Sequence, residues 1–279
     1  MPEGHTLHRL ARAHRKQFRG VPVAVSSPQG KFAAGAAEVD GRPLKRADAH
    51  GKHLFHVYDR DLVVHVHLGL FGSFTQGARP APPPVGQVRM RMVGEQHWAD
   101  LRGPTACEVL RHAEVKTLLA RLGPDPLRRD ADPERAWQRL QRSQAPLAAL
   151  LMDQRVISGV GNVYRAEILF RHGLDPWLPG RELGRDQWDA LWTDLVALMR
   201  QGLRTGRIDT VRPVDDPSVT GRAPRRDRHG GEVYVYRRHG QPCLVCGTEV
   251  PRTVLVGRNL YWCPTCQPPS AVSGLVVAG

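Results

Sequence analysis

Residues 243–266 read CLVCGTEVPRTVLVGRNLYWCPTC, which is two Cys-x-x-Cys motifs separated by sixteen residues. Each motif places two thiolates about one turn apart, and two motifs together supply the tetrahedral sulfur set that zinc prefers. Four protein thiolates leave no coordination position for water, so we expect a structural rather than a catalytic metal. The predicted cofactor is one structural Zn²⁺ held by Cys243, Cys246, Cys263 and Cys266. Two disulfides are the alternative, and a reducing compartment disfavours them.

The segment between the two motifs is predicted to form a hairpin with Gly257 and Arg258 near its tip. An arginine on a metal-pinned hairpin is a rigid cation with a forked set of donors, which suits a phosphate group. A solvated surface arginine fits the same spacing equally well, so the residues alone leave the role of Arg258 open.

The chain around this segment is strongly basic. Its 279 residues include 40 lysines and arginines against 27 aspartates and glutamates, a formal net charge of +13. Cationic contacts to phosphate supply most of the sequence-independent affinity for nucleic acid, so this excess favours a polyanionic partner. A basic protein that is merely soluble and a protein on an anionic membrane surface are the alternatives.

Neither a membrane span nor a secretory signal is visible in the sequence. No stretch approaches the ~20 consecutive apolar residues that cross a bilayer, and the first residues lack a basic region followed by an apolar one. We therefore expect a cytoplasmic, nucleoid-associated protein without membrane contact. In that compartment the fifth cysteine, Cys107, is predicted to be a buried thiol.

The pattern of apolar and turn-forming residues changes twice along the chain, which predicts three domains. Residues 3–18 have the apolar spacing of a helix, and short alternating strands punctuated by Gly and Pro follow to about residue 115. A Gly-Pro-rich segment at 122–127 then precedes helical spacing, and the cysteine motifs come last. The predicted domains are residues 1–118, 131–222 and 233–268.

The middle domain is predicted to consist of helices. Asp132 is placed to cap a helix that begins at Pro133. Three further helices are predicted over residues 146–157, 162–172 and 186–203. Between the first two of these, Gly159 and Gly161 would let the backbone approach a phosphate, and the following helix would offer its free N–H groups. Asn162 at that N-cap can bind a phosphate or cap its own helix.

The other end of the chain begins Met1-Pro2-Glu3-Gly4. If Met1 is removed, Pro2 carries a secondary α-amine beside a carboxylate. A reference α-amine has a pKa of about 7.7–8.0, against about 10.4 for lysine, so a useful fraction is neutral at pH 7. Such an amine can form a covalent imine with a sugar carbon.

Five motifs, taken in order along the chain, resemble the formamidopyrimidine-DNA glycosylase and endonuclease VIII family of base-excision enzymes. They are Pro2-Glu3-Gly4, Gly51-Lys52, the loop His67-Leu68-Gly69-Leu70-Phe71-Gly72, the segment from Asp153-Gln154 to Gly161-Asn162, and the finger with Gly257-Arg258 and Cys263-Pro264. The resemblance implies an α+β fold: an N-terminal β-sandwich with a leading helix, a helical helix-two-turn-helix domain, and a C-terminal zinc-finger hairpin.

The resemblance also implies a bifunctional DNA glycosylase and AP lyase. Pro2 would attack the sugar C1′ to form a Schiff base, and Glu3 would donate a proton to the opening sugar. Lys52 would assist β-elimination and Arg258 δ-elimination. The target base must leave the duplex, and an apolar wedge fills the gap well.

Three residues are expected to contact DNA: Leu70, Arg121 and Asn162. Leu70, with Phe71 as a second candidate, would be the wedge, and ordinary hairpin packing is the alternative. Arg121 matches a DNA-contacting arginine of endonuclease VIII. The expected partner is damaged double-stranded DNA, with single-stranded or bubble DNA as further substrates, bound by a monomer.

Departures from the family pattern favour the endonuclease VIII branch, and hence oxidised pyrimidines as substrates. Thr6 stands where many relatives have a second acid, and Asn259-Leu260 replaces the usual small hydroxyl residues after the hairpin arginine. The stretch Asp100-Leu101-Arg102-Gly103-Pro104 lacks the phenylalanine of the formamidopyrimidine branch. The alternatives are a formamidopyrimidine/8-oxoguanine glycosylase with the same chemistry, and a non-catalytic zinc-dependent protein that binds damaged DNA.

Overall fold

The computed structural model describes residues 2–226 and 231–270, in two compact units that span Met1–Arg121 and Leu122–Gly279. Met1, whose removal would expose the Pro2 amine, lies outside the described residues. The boundary between the units falls in the stretch between the first two predicted domains. The separation of the second unit into a helical domain and a zinc finger stays a prediction.

The first unit consists of two antiparallel sheets and three helices: α1 (Gly4–Phe18), α2 (Ala33–Val39) and α3 (His112–Ala120). The strands are β1 (Pro22–Ser26), β2 (Arg42–Pro43), β3 (Arg46–His50), β4 (His53–Val57), β5 (Val63–His67), β6 (Ser73–Ala78), β7 (Val88–Val93), β8 (His97–Arg102) and β9 (Ala106–Leu110). One sheet has the order β2-β1-β7-β8-β6 and the other the order β3-β4-β5-β9.

Both sheets and α1 share one apolar core. Leu7, Ala11 and Phe18 lie on one face of α1, are buried, and belong to the same cluster as Leu54 of the second sheet and Met92 of the first. Helical spacing in α1 and the period of two in the strands direct these side chains inward. The predicted β-sandwich with a leading helix is confirmed.

The described part of the second unit, residues 122–226 and 231–270, contains helices and one small hairpin. Its helices are α4 (Pro133–Gln141), α5 (Leu147–Leu150), α6 (Asn162–Arg171), α7 (Arg185–Thr205) and α8 (Pro217–Thr220), with 3₁₀ turns at Gly180–Glu182 and Pro213–Asp215. The strands β10 (Arg252–Leu255) and β11 (Arg258–Tyr261) pair antiparallel. The predicted cap is present, since the Asp132 side chain accepts a hydrogen bond from the backbone N–H of Glu134 at 3.0 Å. In residues 2–226 and 231–270, we find no helix with the length and apolar character that a bilayer span requires.

The helix predicted over residues 146–157 is wrong. Only Leu147–Leu150 is helical, and turns follow. Asp153 replaces one helical bond by accepting from the backbone N–H of Arg155 at 2.9 Å, and just beyond the predicted helix Gln154 accepts from that of Gly159 at 2.9 Å. The Gln154 amide also donates to the carbonyl of Val160 at 2.9 Å. Such local side-chain bonds compete with helix, and here they shape the two-glycine turn.

A buried carboxylate connects α6 to the segment that leads into the cysteine motifs. Glu167 has no exposed surface. Its two oxygens accept hydrogen bonds from three consecutive backbone N–H groups, those of Tyr234, Val235 and Tyr236, at 2.7–2.9 Å, and from the Thr210 hydroxyl at 2.6 Å. Side chains of α6, α7 and the finger belong to one apolar cluster. The finger is therefore anchored on the helices.

Candidate active-site residues and metal centre

The four predicted metal ligands converge. The Sγ atoms of Cys243, Cys246, Cys263 and Cys266 all lie within 4.8 Å of one another. The Sγ atoms of Cys243 and Cys266 are 3.8 Å apart, and those of Cys246 and Cys263 are 3.4 Å apart. A tetrahedral zinc with Zn–S bonds of about 2.3 Å needs sulfurs about 3.8 Å apart, and a disulfide needs about 2.05 Å. The cysteines therefore form a site for one structural zinc ion and not two disulfides.

Backbone N–H groups support the thiolates. The N–H of Val245 points at the Cys243 sulfur and that of Cys266 at the Cys263 sulfur, each at 3.5 Å. Hydrogen bonds of this kind stabilise negative sulfur and orient the ligands. The donor set suits a closed metal site with a purely structural role.

Arg258 begins the second strand of the hairpin between the two motifs. Val256 and Gly257 form the turn with φ values of 49° and 67°, and Leu255 pairs with Arg258 across it. Gly257 tolerates this left-handed conformation, whereas the same conformation is unusual for a β-branched residue such as Val256. The Arg258 side chain is half-buried.

Asn162 reaches this hairpin. Its Nδ2 donates to the backbone carbonyl of Asn259 at 2.9 Å, and the side chain is buried. The Arg165 guanidinium donates to the same carbonyl at 3.0 Å and also contacts Oδ1 of Asn162. The N-cap residue of α6 is Gly161, so Asn162 does not cap its own helix. The structure thus brings Asn162 and the Arg258 hairpin together, through a contact that the sequence did not reveal.

In the first unit, Pro2 and Glu3 lie directly before α1. Glu3 is the N-cap residue, its side chain makes no capping hydrogen bond, and the residue has no exposed surface. The half-buried Thr6 has its hydroxyl 3.4 Å from Nε2 of His5. Burial, reinforced by the charges of Arg9 and His8, lowers the pKa of His5 to about 4, so this histidine is neutral at pH 7.

Lys52 lies in the turn of the β3–β4 hairpin. Its side chain is half-buried. The preceding Gly51 has a φ of 55°, which favours glycine at this turn. Helix α1, which follows Pro2 and Glu3, packs against both β3 and β4, the strands on either side of Lys52.

A row of histidines beside Lys52 was not among the predicted site residues. Nδ1 of His53 lies 2.8 Å from Nε2 of His65, and Nδ1 of His65 lies 2.9 Å from Oε1 of Glu108. Burial, reinforced by the charges of His65, His67, His50 and Lys52, lowers the pKa of His53 to about 3. Histidines at a period of two in neighbouring strands are the sequence signal that could have indicated this cluster.

The loop between β5 and β6 presents two apolar side chains to solvent. Leu70 is 42% exposed and Phe71 is 87% exposed. Glycine is required on both sides, because a Cβ at Gly69 would lie 1.9 Å from the Thr105 hydroxyl and one at Gly72 would lie 2.2 Å from the Leu68 carbonyl oxygen. A tight loop with exposed apolar residues has the form of a wedge, and Phe71 is the more exposed of the two.

The two remaining predicted residues are in the first unit. Arg121 is exposed and forms the C-terminal end of α3, where its contact with DNA stays a prediction. Cys107 is half-buried rather than buried, and burial raises its pKa to about 12. It is therefore a protonated thiol at neutral pH.

Comparison with known families identifies three matching segments. Residues 1–107 match the formamidopyrimidine-DNA glycosylase N-terminal domain and residues 122–212 the formamidopyrimidine-DNA glycosylase H2TH domain. Residues 240–269 match the zinc finger found in FPG and IleRS. Together they account for most of the chain.

Individual relatives agree with these matches. Endonuclease 8 1 of Mycobacterium tuberculosis is 58% identical over 271 residues, which cover 96% of this chain and 100% of that protein. The crystal structure of the MutM (Fpg) protein from Thermus thermophilus superimposes with a TM-score of 0.75 at 29% identity, covering 96% of this chain and all of the other.

The Lactococcus lactis Fpg, solved in complex with DNA that contains an abasic site, is similar to this chain in fold only. It has a TM-score of 0.77 at 18% identity, over 96% of this chain and all of that one. Since the near-full-length relative is well above 30% identical, the chain belongs to the formamidopyrimidine-DNA glycosylase and endonuclease VIII family of DNA glycosylases.

Proposed function

We propose that this chain is a bifunctional DNA glycosylase and AP lyase that excises oxidised pyrimidines from double-stranded DNA. The observation that carries the proposal is the start of α1, where Pro2 adjoins the carboxylate of Glu3. That residue has no exposed surface, and its side chain does not cap the helix. A carboxylate held there beside an α-amine is suited to proton transfer at the same sugar carbon.

In the excision step, the free amine of Pro2 attacks C1′ of the damaged nucleotide after removal of Met1. The bond from C1′ to the base breaks, and its electron pair and the amine proton leave with the base. Glu3 donates a proton to O4′ as the C1′–O4′ bond opens. The product is an iminium between Pro2 and C1′, and this covalent intermediate divides one difficult step into two.

The iminium makes the C2′ proton acidic, and strand cleavage follows. Loss of that proton, assisted by Lys52, moves its electron pair toward C1′ and expels the phosphate at C3′. A second loss, from C4′, expels the phosphate at C5′, and Arg258 assists this δ-elimination. Water then releases the sugar fragment from Pro2.

Leu70 and Phe71 are proposed to fill the space that the flipped base leaves. Support comes from the exposure of both side chains on a glycine-flanked loop. Arg121 and Asn162 are proposed to contact phosphate, Asn162 through the amide hydrogen that is not donated to the Asn259 carbonyl. The partner class is supported by the Lactococcus lactis Fpg, which was solved with DNA that contains an abasic site, and by the net charge of +13. We expect the protein to act as a monomer at the nucleoid.

The preference for oxidised pyrimidines is supported by the relative named endonuclease 8 1. The likeness to MutM (Fpg) favours a second candidate, excision of formamidopyrimidine and 8-oxoguanine by the same chemistry. An incision panel with thymine glycol, 5-hydroxycytosine, formamidopyrimidine and 8-oxoguanine separates the two. It should be run in duplex, bubble and single-stranded DNA. Faster incision at the purine lesions would reject the pyrimidine assignment.

Glu3→Gln tests the catalytic assignment. Because proton donation at sugar opening matters most for base removal, this variant should lose far more activity on a damaged base than on a preformed abasic site. Equal losses on both substrates would reject the role of Glu3. A non-catalytic damaged-DNA-binding protein would bind both duplexes and cleave neither.

A further inference from the structure

Two side chains of α6 converge on one backbone carbonyl of the zinc-finger hairpin. The carbonyl of Asn259 accepts from Nδ2 of Asn162 at 2.9 Å and from the Arg165 guanidinium at 3.0 Å. Asn162 is 5% exposed and Arg165 has no exposed surface. Burying an arginine costs free energy of desolvation, which its hydrogen bonds must offset. The groups that it bonds therefore indicate its role.

Arg165 joins its own helix to two other segments, α5 and the zinc-finger hairpin. Besides the carbonyl of Asn259, its guanidinium contacts Oδ1 of Asn162, and a second nitrogen lies 3.5 Å from the carbonyl of Ala148 in α5. A planar fork with five donors can satisfy acceptors from three directions, which a lysine ammonium on a flexible stem does not reproduce. Hydrogen bonds from a charged donor are also the stronger kind.

The shared carbonyl lies one residue from Arg258. Consecutive Cα atoms are about 3.8 Å apart, so a fixed peptide at Asn259 constrains where Arg258 begins. On the other side, Leu260 is fully buried in the apolar cluster of the helices. On the turn side, Val256 and Gly257 are exposed. The position of Arg258 therefore depends on its strand pairing with Leu255 and on the anchor at Asn259 and Leu260.

We propose that Arg165 is a positioning residue for Arg258, which it holds in place for the second elimination by fixing the backbone at Asn259. The inference rests on the proposed function, in which Arg258 assists δ-elimination. Asn162 contributes the second hydrogen bond to the same carbonyl. Arg165 itself does not touch the reacting atoms.

The test is Arg165→Lys, which keeps the charge and loses the fork. It should be assayed at saturating enzyme on a preformed abasic site in a duplex, in single turnover. We expect β-elimination at close to the wild-type rate and δ-elimination slowed by about tenfold or more, because small misplacements of a catalytic group have large effects on rate. Denaturing gels separate the two 3′ ends, so the β-product should accumulate.

The matched control is Arg171→Lys. Arg171 is another arginine of α6 and is half-buried, but it bonds Asp194 and the carbonyl of Thr210 rather than the hairpin. Its variant should leave the end distribution unchanged, even if it lowers thermal stability. An unchanged end distribution in Arg165→Lys, or an equal shift in both variants, would reduce Arg165 to a structural residue.

A further variant keeps the inference testable if Arg165→Lys does not fold. Asn162→Ser removes the other donor to the Asn259 carbonyl and should shift the ends in the same direction, by a smaller factor. Arg258→Ala distinguishes the proposed role of Arg258 in δ-elimination from the proposed positioning role of Arg165. If its ends are those of the wild type, the proposed role of Arg258 fails. If its ends shift while those of the folded variants at Arg165 and Asn162 do not, only the positioning role of Arg165 fails.

Discussion

Replacing Glu167 by glutamine should destabilise the second unit strongly, although the two side chains have nearly the same shape. Glu167 has no exposed surface, and its oxygens accept from the backbone N–H groups of Tyr234, Val235 and Tyr236 and from the Thr210 hydroxyl. Its charge also acts on the buried Arg238 guanidinium, whose pKa it raises against the dominant lowering by burial. The substitution removes that charge and half of the acceptors.

The magnitude follows from the fate of each hydrogen bond. With the glutamine oxygen toward Val235 and Tyr236, its NH₂ group can donate to the Thr210 hydroxyl, which rotates to accept. The N–H of Tyr234 then faces a donor, and an unsatisfied buried group costs about 1–3 kcal/mol. The two bonds that remain change from charged to neutral acceptors, at about 1 kcal/mol each. The expected loss is about 3–5 kcal/mol, a large part of the roughly 5–15 kcal/mol that is typical of folded proteins.

Urea unfolding, followed by tryptophan fluorescence, measures this loss, since five of the six tryptophans lie in the second unit. Glu182→Gln is the control, because it removes the same charge at an exposed side chain that pairs with Arg181 at 3.2 Å. Surface pairs of this kind contribute about 0–1 kcal/mol. If the two variants lose the same free energy of unfolding, the buried carboxylate does not anchor the finger.

Lowering the pH from 7 to 5 should destabilise the first unit, because burial lowers the folded-state pKa of His14 to about 4 and that of His53 to about 3. In the unfolded chain each histidine binds a proton near pH 6.5, so the free energy of unfolding decreases as the pH falls below that value. His14 alone accounts for a loss of about 2 kcal/mol, which is measurable as a shift in the urea midpoint. Removal of zinc by a chelator, or Cys246→Ser, should raise hydrogen exchange in the hairpin and weaken DNA binding. If the first unit unfolds together with the zinc finger, the finger is not anchored separately from that unit. Phe71→Ala should weaken binding to a lesion duplex more than Leu70→Ala does, in proportion to exposed apolar area, and equal affinities in a fluorescence anisotropy titration would argue against a wedge.

Local patterns predicted the features that depend on local spacing. The two Cys-x-x-Cys motifs fix the zinc ligands, since each pair of thiolates is set by a three-residue turn. The apolar spacing of Leu7, Ala11 and Phe18 likewise predicts α1 to within one residue at its start.

Features that depend on distant contacts could not be predicted in the same way. The helix predicted over residues 146–157 does not form in full because the side chains of Asp153 and Gln154 hydrogen-bond to backbone groups. Apolar periodicity does not indicate this competition. Arg165 and the carbonyl of Asn259 are 94 residues apart in sequence, and no spacing rule connects them. The same holds for Glu167 and the N–H groups of residues 234–236, which only tertiary packing brings together.

The central claim, that Pro2 is the nucleophile, is tested most directly by mapping a borohydride-trapped adduct. The protein is incubated with DNA that contains an abasic site, the imine is reduced, and the cross-linked peptide is identified by mass spectrometry after proteolysis. We expect a mature chain without Met1, an adduct on the nitrogen of Pro2, and loss of most trapping in Pro2→Gly, which should still bind the DNA. An adduct on Lys52, or a wild-type yield of trapped complex from Pro2→Gly, would contradict the account.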